Sequence, residues 1–305
     1  MSVGIGACKS WENIYRHIKF FLLLKLLPHY CLFYVKCSLP LLYNTDATGH
    51  DMTSIDSASL IGLGTYRLYE KTYSTCRMAF EMGYRHIDTA ALYKNEGEVA
   101  RAIAESDIPR EEIFITSKIP LKAILSGRIR DAARQSLEKL GTIDLLLLHA
   151  PGADPLSAWE VMLEIREWEE IGDIGVSNFN IQHLQLLKNS PPKWNQFEIS
   201  PFLQRKELVS YCHSQGIKIV AHSPLVKGQK LDTPELITMA DQCGCTPAQL
   251  LLAWSVNKGF VTIPRSTKRE HLQANLEARE IILPTEVIQQ LNGFEENYAT
   301  HPQHC

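Results

Sequence analysis

The sequence holds eight cysteines but no CxxC pair. Cys243-Gly244-Cys245 is too closely spaced for a zinc knuckle and has no matching histidine pair. Neither a disulfide framework nor a metal site is expected, and the cysteines read as reduced thiols of a cytoplasmic protein. A surplus of positive charge is also missing. Lys and Arg number 31 against 34 Asp and Glu, a net charge of −3. That excludes the basic footprint a nucleic-acid partner requires. No apolar run is long enough for a membrane. The longest, Ile18 to Leu27, is broken by Lys19 and Lys25, whereas a spanning helix needs about 20 apolar residues. A secretory signal is missing too, since Lys25 and Pro28 cut the apolar core and no small-residue cleavage site follows. Phe20 to Tyr43 shows no clean helical or strand period, and residues 1–51 read as a non-native or disordered extension. The domain proper is expected to span residues 52–305, beginning at Met52.

What remains is ordinary for one large globular core, 45% hydrophobic and 21% charged over 305 residues. From Leu60 onward, strand-like and helix-like runs alternate. The expected strands are Leu60–Thr65, His86–Ala90, Ile113–Lys118, Ile143–His149, Asp173–Ser177, Asn195–Ile199, Lys218–His222 and Val261–Pro264. Between them lie helical patterns such as Thr72–Met82, Arg128–Leu140, Pro155–Glu170 and Pro247–Asn257. Alternation of this kind, with continuously apolar strands, implies a parallel sheet covered on both sides. About eight strand–helix units favour a closed (β/α)8 barrel of one domain. In such barrels the reacting groups sit at the C-terminal strand ends.

Three chemistry-bearing residues fall there. Asp88, Lys118 and His149 close successive strands, and Tyr93 follows Asp88 by five residues. A carboxylate at that depth needs a cation beside it, and Lys118 is the expected partner. Lys118 is expected to lower the phenol pKa of Tyr93, ordinarily near 10, by favouring the phenolate. His149 can donate a hydrogen bond to a substrate oxygen. The set delivers a proton to a carbonyl oxygen. It has no nucleophile–base pair and no metal ligands, so the electron pair must come from a hydride cofactor. Taken singly, each residue has an ordinary explanation as a cap, an ion-pair partner or a packing side chain. Their occurrence in order, at strand ends, outweighs those explanations.

With these motifs the chain resembles the aldo-keto reductase family from about Leu60 to Glu280. The resemblance rests on Gly-Tyr-Arg-His-Ile-Asp-Thr-Ala, Thr-Ser-Lys, Leu-Leu-His, Gly-Val-Ser-Asn-Phe, Asn-Gln and Ile-Pro-Arg-Ser-Thr. It implies a monomeric barrel that binds NADPH across its mouth, with NADH less favoured. It further implies Tyr93 as general acid, Lys118 and Asp88 as its tuning pair, and His149 as the residue that orients the carbonyl. Ser177, Asn178 and Gln196 would hold the carboxamide, and Thr65, Ser223 and Leu225 would line the cofactor's path. His222 stands where the family commonly stacks a Tyr on the nicotinamide. The 2′-phosphate would meet Arg265, Ser266 and Thr267. His271 replaces a common Arg, Ala274 a common acidic residue, and Asn275 keeps the family's Asn. Ser266–Arg269 looks most like the bacterial 2,5-diketo-D-gluconate reductases of the B type, which also reduce methylglyoxal. Ala150 stands where the family usually has Trp, and so does Tyr66. An open pocket for small polar carbonyls is therefore expected, unless Trp168, Trp194 or the C-terminal tail closes it again. The rival reading is a non-catalytic NADP(H)-binding module on the same barrel.

Overall fold

The computed structural model describes residues 60–301. The expectations for residues 1–51 and for a domain start at Met52 lie outside the described residues. Eight parallel strands form one sheet in sequence order. They are β1 Leu63–Gly64, β2 His86–Asp88, β3 Phe114–Ile119, β4 Ile143–Leu148, β5 Ile171–Ser177, β6 Trp194–Glu198, β7 Lys218–His222 and β8 Val261–Thr262. The sheet closes on itself. Ile61 bridges Thr262 in parallel, and the N–H groups of Gly62 and Gly64 donate to the carbonyls of Thr262 and Pro264 at 2.9 and 3.0 Å. The result is the expected (β/α)8 barrel.

The helices are α1 Thr72–Glu81, α2 Glu96–Ala104, α3 Leu121–Leu125, α4 Ile129–Leu140, α5 Pro155–Ile165, α6 Ile181–Leu186, α7 Lys206–Ser214, α8 Pro234–Gln242, α9 Pro247–Asn257, α10 Arg269–Glu277 and α11 Thr285–Asn292. Several start where the sequence supplies the chemistry. Thr246 and Gln249 form a capping box ahead of Pro247, so the first free N–H groups of α9 are satisfied and its fixed φ is helical from the outset. Helix α4 buries Ala133, Ser136, Leu137 and Leu140, spaced three and four apart, and leaves its charged face to water. None of the described helices is long and apolar enough to cross a membrane.

Two apolar cores follow from the alternation along the strands. Ile87, Ile115, Leu146, Leu148 and Val176 face the helices in the larger one. Leu145, Leu147, Trp194, Val220, Val261 and Ile263 form a separate cluster inside the barrel. The inward rows continue toward the C-terminal ends with Asp88, Lys118, His149, Ser177, Gln196 and His222. The barrel is thus apolar below and polar at its mouth.

Three expectations require correction. Strands β1 and β8 each keep only two residues, because their neighbours bond across the seam singly rather than as a continuous ladder. The helix expected to reach Glu170 ends at Ile165, where three-residue turns from Glu164 to Glu167 and from Ile165 to Trp168 take over. Trp168 consequently lies outside the barrel, with the Arg134 guanidinium 3.6 Å from its ring centre. Trp194 sits below the mouth, its indole N–H donating to Asp173 at 3.2 Å. Neither tryptophan can close the pocket. Trp159 and Trp254 are buried in the core, and so are His86 and Cys212.

Gly175 of β5 tests this packing. A Cβ there would lie 2.7 Å from Trp194 Cβ and 2.8 Å from Leu147 Cδ2. Gly175→Ala should therefore destabilise the fold by about 1–3 kcal/mol. Gly97→Ala, on open ground in α2, should stabilise it by about 0.5–1 kcal/mol. Chemical denaturation of the two variants checks the contrast.

Candidate active site

The mouth is built around a buried ion pair. Lys118 Nζ donates to Asp88 Oδ1 at 2.5 Å and to the Thr89 carbonyl at 2.8 Å. Both side chains are essentially inaccessible. Gln196 Nε2 donates to the other carboxylate oxygen at 2.8 Å. The Asp88 backbone carbonyl is held by Thr65 through its N–H at 2.9 Å and its hydroxyl at 3.0 Å. Four strand ends thereby meet at one residue. Such a pair survives burial only when its remaining hydrogen-bonding capacity is met, and Gln196 and Thr89 meet it here.

Tyr93 lies just above, in a short turn that ends with Lys94 in the left-handed region. Its ring centre is 5.3 Å from Lys118 Nζ, 5.8 Å from the His149 ring and 5.0 Å from the Tyr66 ring. The tetrad anticipated from sequence is therefore one cluster. The electrostatics differ from expectation. Burial, the Asp88 charge and Tyr66 push the Tyr93 phenol well above its ordinary value, rather than Lys118 drawing it down. Burial also pushes the Lys118 ammonium below its usual range, against the opposing pull of Asp88. The correction is physical: the Lys118 proton donors are aimed at Asp88 and Thr89, so the phenol shares the burial without the full benefit of the cation. What results is a neutral phenol next to a hydrogen-bonded ammonium.

A second group sits on the other side of the mouth. Ser177 ends β5, and Asn178 follows in a left-handed conformation. Asn178 Nδ2 donates to the His149 carbonyl and to Ser177 Oγ, both at 3.1 Å. Its Oδ1 lies 3.1 Å from His222 Nε2, and His222 Nδ1 lies 3.2 Å from Ser223 Oγ. Leu225 is partly buried beyond them. Past β8, Arg265 is exposed and, among the described residues, reaches only the Arg67 carbonyl, at 3.3 Å. Ser266 Oγ accepts from the Lys268 N–H at 3.2 Å. Thr267 is partly exposed, His271 is exposed, and Asn275 is buried on the inner side of α10. Ala150 lines the rim, half-buried.

Sequence reasoning missed two parts. Thr89 and Asn95 form a buried link, Thr89 Oγ1 to Asn95 Oδ1 at 2.8 Å and Asn95 Nδ2 to the Thr65 carbonyl at 3.0 Å. This link ties the loops after β1 and β2 together. Glu198, buried at the end of β6, was also passed over. Its signal was present: it is two residues beyond Gln196 and therefore on the same inward row.

Comparison with known proteins agrees with this geometry. Residues 60–296 match the sequence model of the Aldo/keto reductase family. An oxidoreductase of Schizosaccharomyces pombe is 37% identical over 83% of this chain and 94% of its own length. The methylglyoxal reductase DkgB of Escherichia coli O157:H7 is 38% identical over 74% of this chain and 88% of its own. The glyoxal reductase of Bacillus subtilis is 37% identical over 79% and 90%. Among solved structures, an aldo-keto reductase enzyme from a Medee basin deep-sea metagenome library superposes with a TM-score of 0.74 at 33% identity. It covers 83% of this chain and 94% of that one.

A phenol whose pKa is raised stays protonated to higher pH. The tyrosinate absorbance of wild type minus that of Tyr93→Phe, titrated upward, should therefore show no ionisation step below about pH 10. A step near neutrality would mean that Lys118 dominates after all.

Proposed function

The chain belongs to the aldo/keto reductase family, and from that membership we propose that it is an NADPH-dependent reductase of small aldehydes and α-dicarbonyls. Methylglyoxal and 2,5-diketo-D-gluconate are the substrates to try first. The observation that carries this reading is the neutral Tyr93 phenol standing over the buried Lys118–Asp88 pair, with His149 beside it. That arrangement suits proton delivery to an oxygen that gains charge. It offers no nucleophile, and no described residues group to hold a metal ion.

The donor set fits a nicotinamide dinucleotide. Ser177, Asn178 and Gln196 supply hydroxyl and amide groups at the mouth, suited to a carboxamide. His222 offers a flat ring beside them. Arg265 and Lys268 are exposed, with no carboxylate at ion-pair distance among the described residues. Cations so placed favour the extra phosphate of NADPH over the bare ribose of NADH. When bound, the reduced cofactor supplies a hydride to the carbonyl carbon. Tyr93 gives its proton to the carbonyl oxygen as that oxygen takes up charge. His149 donates a hydrogen bond to the same oxygen and fixes its approach. Asp88 holds the Lys118 ammonium in place beneath the ring, so that ammonium is the cation that faces the phenolate as it forms. We read the protein as a cytoplasmic monomer with no nucleic-acid or membrane partner.

Two measurements test the reading. Tyr93→Phe should still quench on adding NADPH but lose turnover of methylglyoxal by about 10²–10⁴-fold. Full activity in that variant would remove Tyr93 from the mechanism, and NADPH binding without turnover in wild type would favour the binding-module reading. Arg265→Ala should raise KM for NADPH by about 10–100-fold, the worth of one charge-assisted phosphate contact. KM for NADH should stay within about twofold, since no such contact is lost there.

A further inference from the structure

Glu198 is a buried carboxylate that the proposed reaction does not use. It ends β6, is 3% exposed, and projects into the barrel mouth. Every hydrogen bond it accepts among the described residues comes from the segment that follows α11. Glu198 Oε1 accepts from the Thr300 N–H at 2.7 Å and the Thr300 hydroxyl at 2.5 Å. Glu198 Oε2 accepts from the His301 N–H at 3.0 Å, and His301 Nδ1 lies 3.6 Å away. A carboxylate buried this deeply is costly without such partners. The segment is thus required at this position by the charge beneath it.

The consequence lies above Glu198. The His301 ring sits edge-on to His222 at 5.8 Å and to Tyr66 at 6.4 Å. Tyr66 in turn packs on Tyr93 at 5.0 Å. His301 therefore extends the aromatic chain that begins at the proposed proton donor, on a rim where Ala150 leaves space. The rest of the segment is pinned to the same mouth. Tyr298 N–H donates to the Phe202 carbonyl at 3.0 Å, and Lys227 Nζ donates to the Thr300 carbonyl at 2.6 Å.

We propose that Glu198 is a positioning residue that anchors Thr300–His301 across the barrel mouth, and that His301, so held, is a wall of the carbonyl pocket that determines which substrates fit. This rests on the reductase reading. The balance of forces on Glu198 agrees with it. Burial alone would raise its pKa, but the hydrogen bonds from His301 and Thr300, with the nearby His222, bring it down to about 2. The carboxylate therefore remains charged, and the anchor set, at any pH where the enzyme would work.

The test uses the full chain and two substrates, methylglyoxal and 2-naphthaldehyde, with NADPH. His301→Ala should raise KM for methylglyoxal about tenfold, leave its kcat within about twofold, and improve kcat/KM for naphthaldehyde about tenfold, the usual span for adding or removing a pocket wall. His301→Phe, which restores a ring, should return both values toward wild type. Glu198→Gln should shift selectivity in the same direction, and the double variant should add nothing to His301→Ala, because the two act as one unit. A uniform fall in kcat with unchanged selectivity would reduce Glu198 to a structural role and overturn the proposal. Amide hydrogen exchange provides a readout that needs no activity. The Thr300 and His301 amides should exchange at least about tenfold faster in Glu198→Gln than in wild type. Equal rates would overturn the anchor. Should wild type turn over no carbonyl, the reductase reading and the wall role would fall together, and exchange would still decide the anchor.

Discussion

The Lys118–Asp88 pair is the constraint on which the mouth depends. Taking both charges out of water costs several kcal/mol per ion, and their contact at 2.5 Å offsets this only if the remaining donors and acceptors are met. Asp88 needs Gln196 from β6, and Lys118 needs the Thr89 carbonyl. Thr65 must hold the Asp88 backbone from β1. Strands β1, β2, β3 and β6 are thus locked in relative height by one polar knot. Tyr93, His149 and Asn178 are placed against strand ends whose positions are already set. A pair of this kind is weak evidence for stability, and what its contacts do here is fix registration. Here the registration is that of the site itself.

Much of this was legible from the chain. Asp88, Lys118 and His149 could be read as strand-end residues because each closes an apolar run, and the barrel followed from the alternation. The partnership of Asp88 with Lys118 followed from charge alone. Tyr93 was drawn into the set by its place just past Asp88, and its assignment as the general acid came with the family resemblance. The direction of its pKa shift could not be read at all. It depends first on how deeply the ring is buried and then on the nearby Asp88 charge and Tyr66, which residue type and spacing do not give. The tryptophans failed for a related reason. Trp168 and Trp194 were available to close the pocket by composition, but a helix ending at Ile165 turns one outward, and the pleat of β6 puts the other below the mouth. Glu198 was legible by its period and was missed because its partners lie about a hundred residues later.

The barrel divides stability and chemistry between its two ends. Inside, Leu145, Leu147, Trp194, Val220, Val261 and Ile263 exclude water below the site. They give the low dielectric that strengthens the ion pair and raises the phenol. The same burial that makes Tyr93 hard to ionise keeps its phenol protonated.

Backbone strain follows the same division. All nine described non-glycine residues with positive φ lie in loops that follow strands or in the segment after α11: Arg67, Tyr69, Lys94, Asn178, Arg205, Ser223, Val226, Lys227 and Asn297. Each costs about 1–2 kcal/mol relative to a right-handed conformation. At the opposite end, the turns into β4 and β7 use Gly141 and Gly216, which adopt such angles without that cost. Strain held by side-chain bearing residues persists only where contacts outweigh it, and such contacts are made by Asn178 with His149 and His222 and by Lys227 with Thr300. Val226 is the extreme case, a β-branched residue in the left-handed region. It directly precedes the lysine that binds the closing segment. The loop after β7 runs from His222, the strand's last residue, to Lys227, so it joins the residue proposed to face the nicotinamide to the segment anchored by Glu198. A chain that bears strain at this corner has been shaped by what the corner must hold in place, not by what its local sequence prefers.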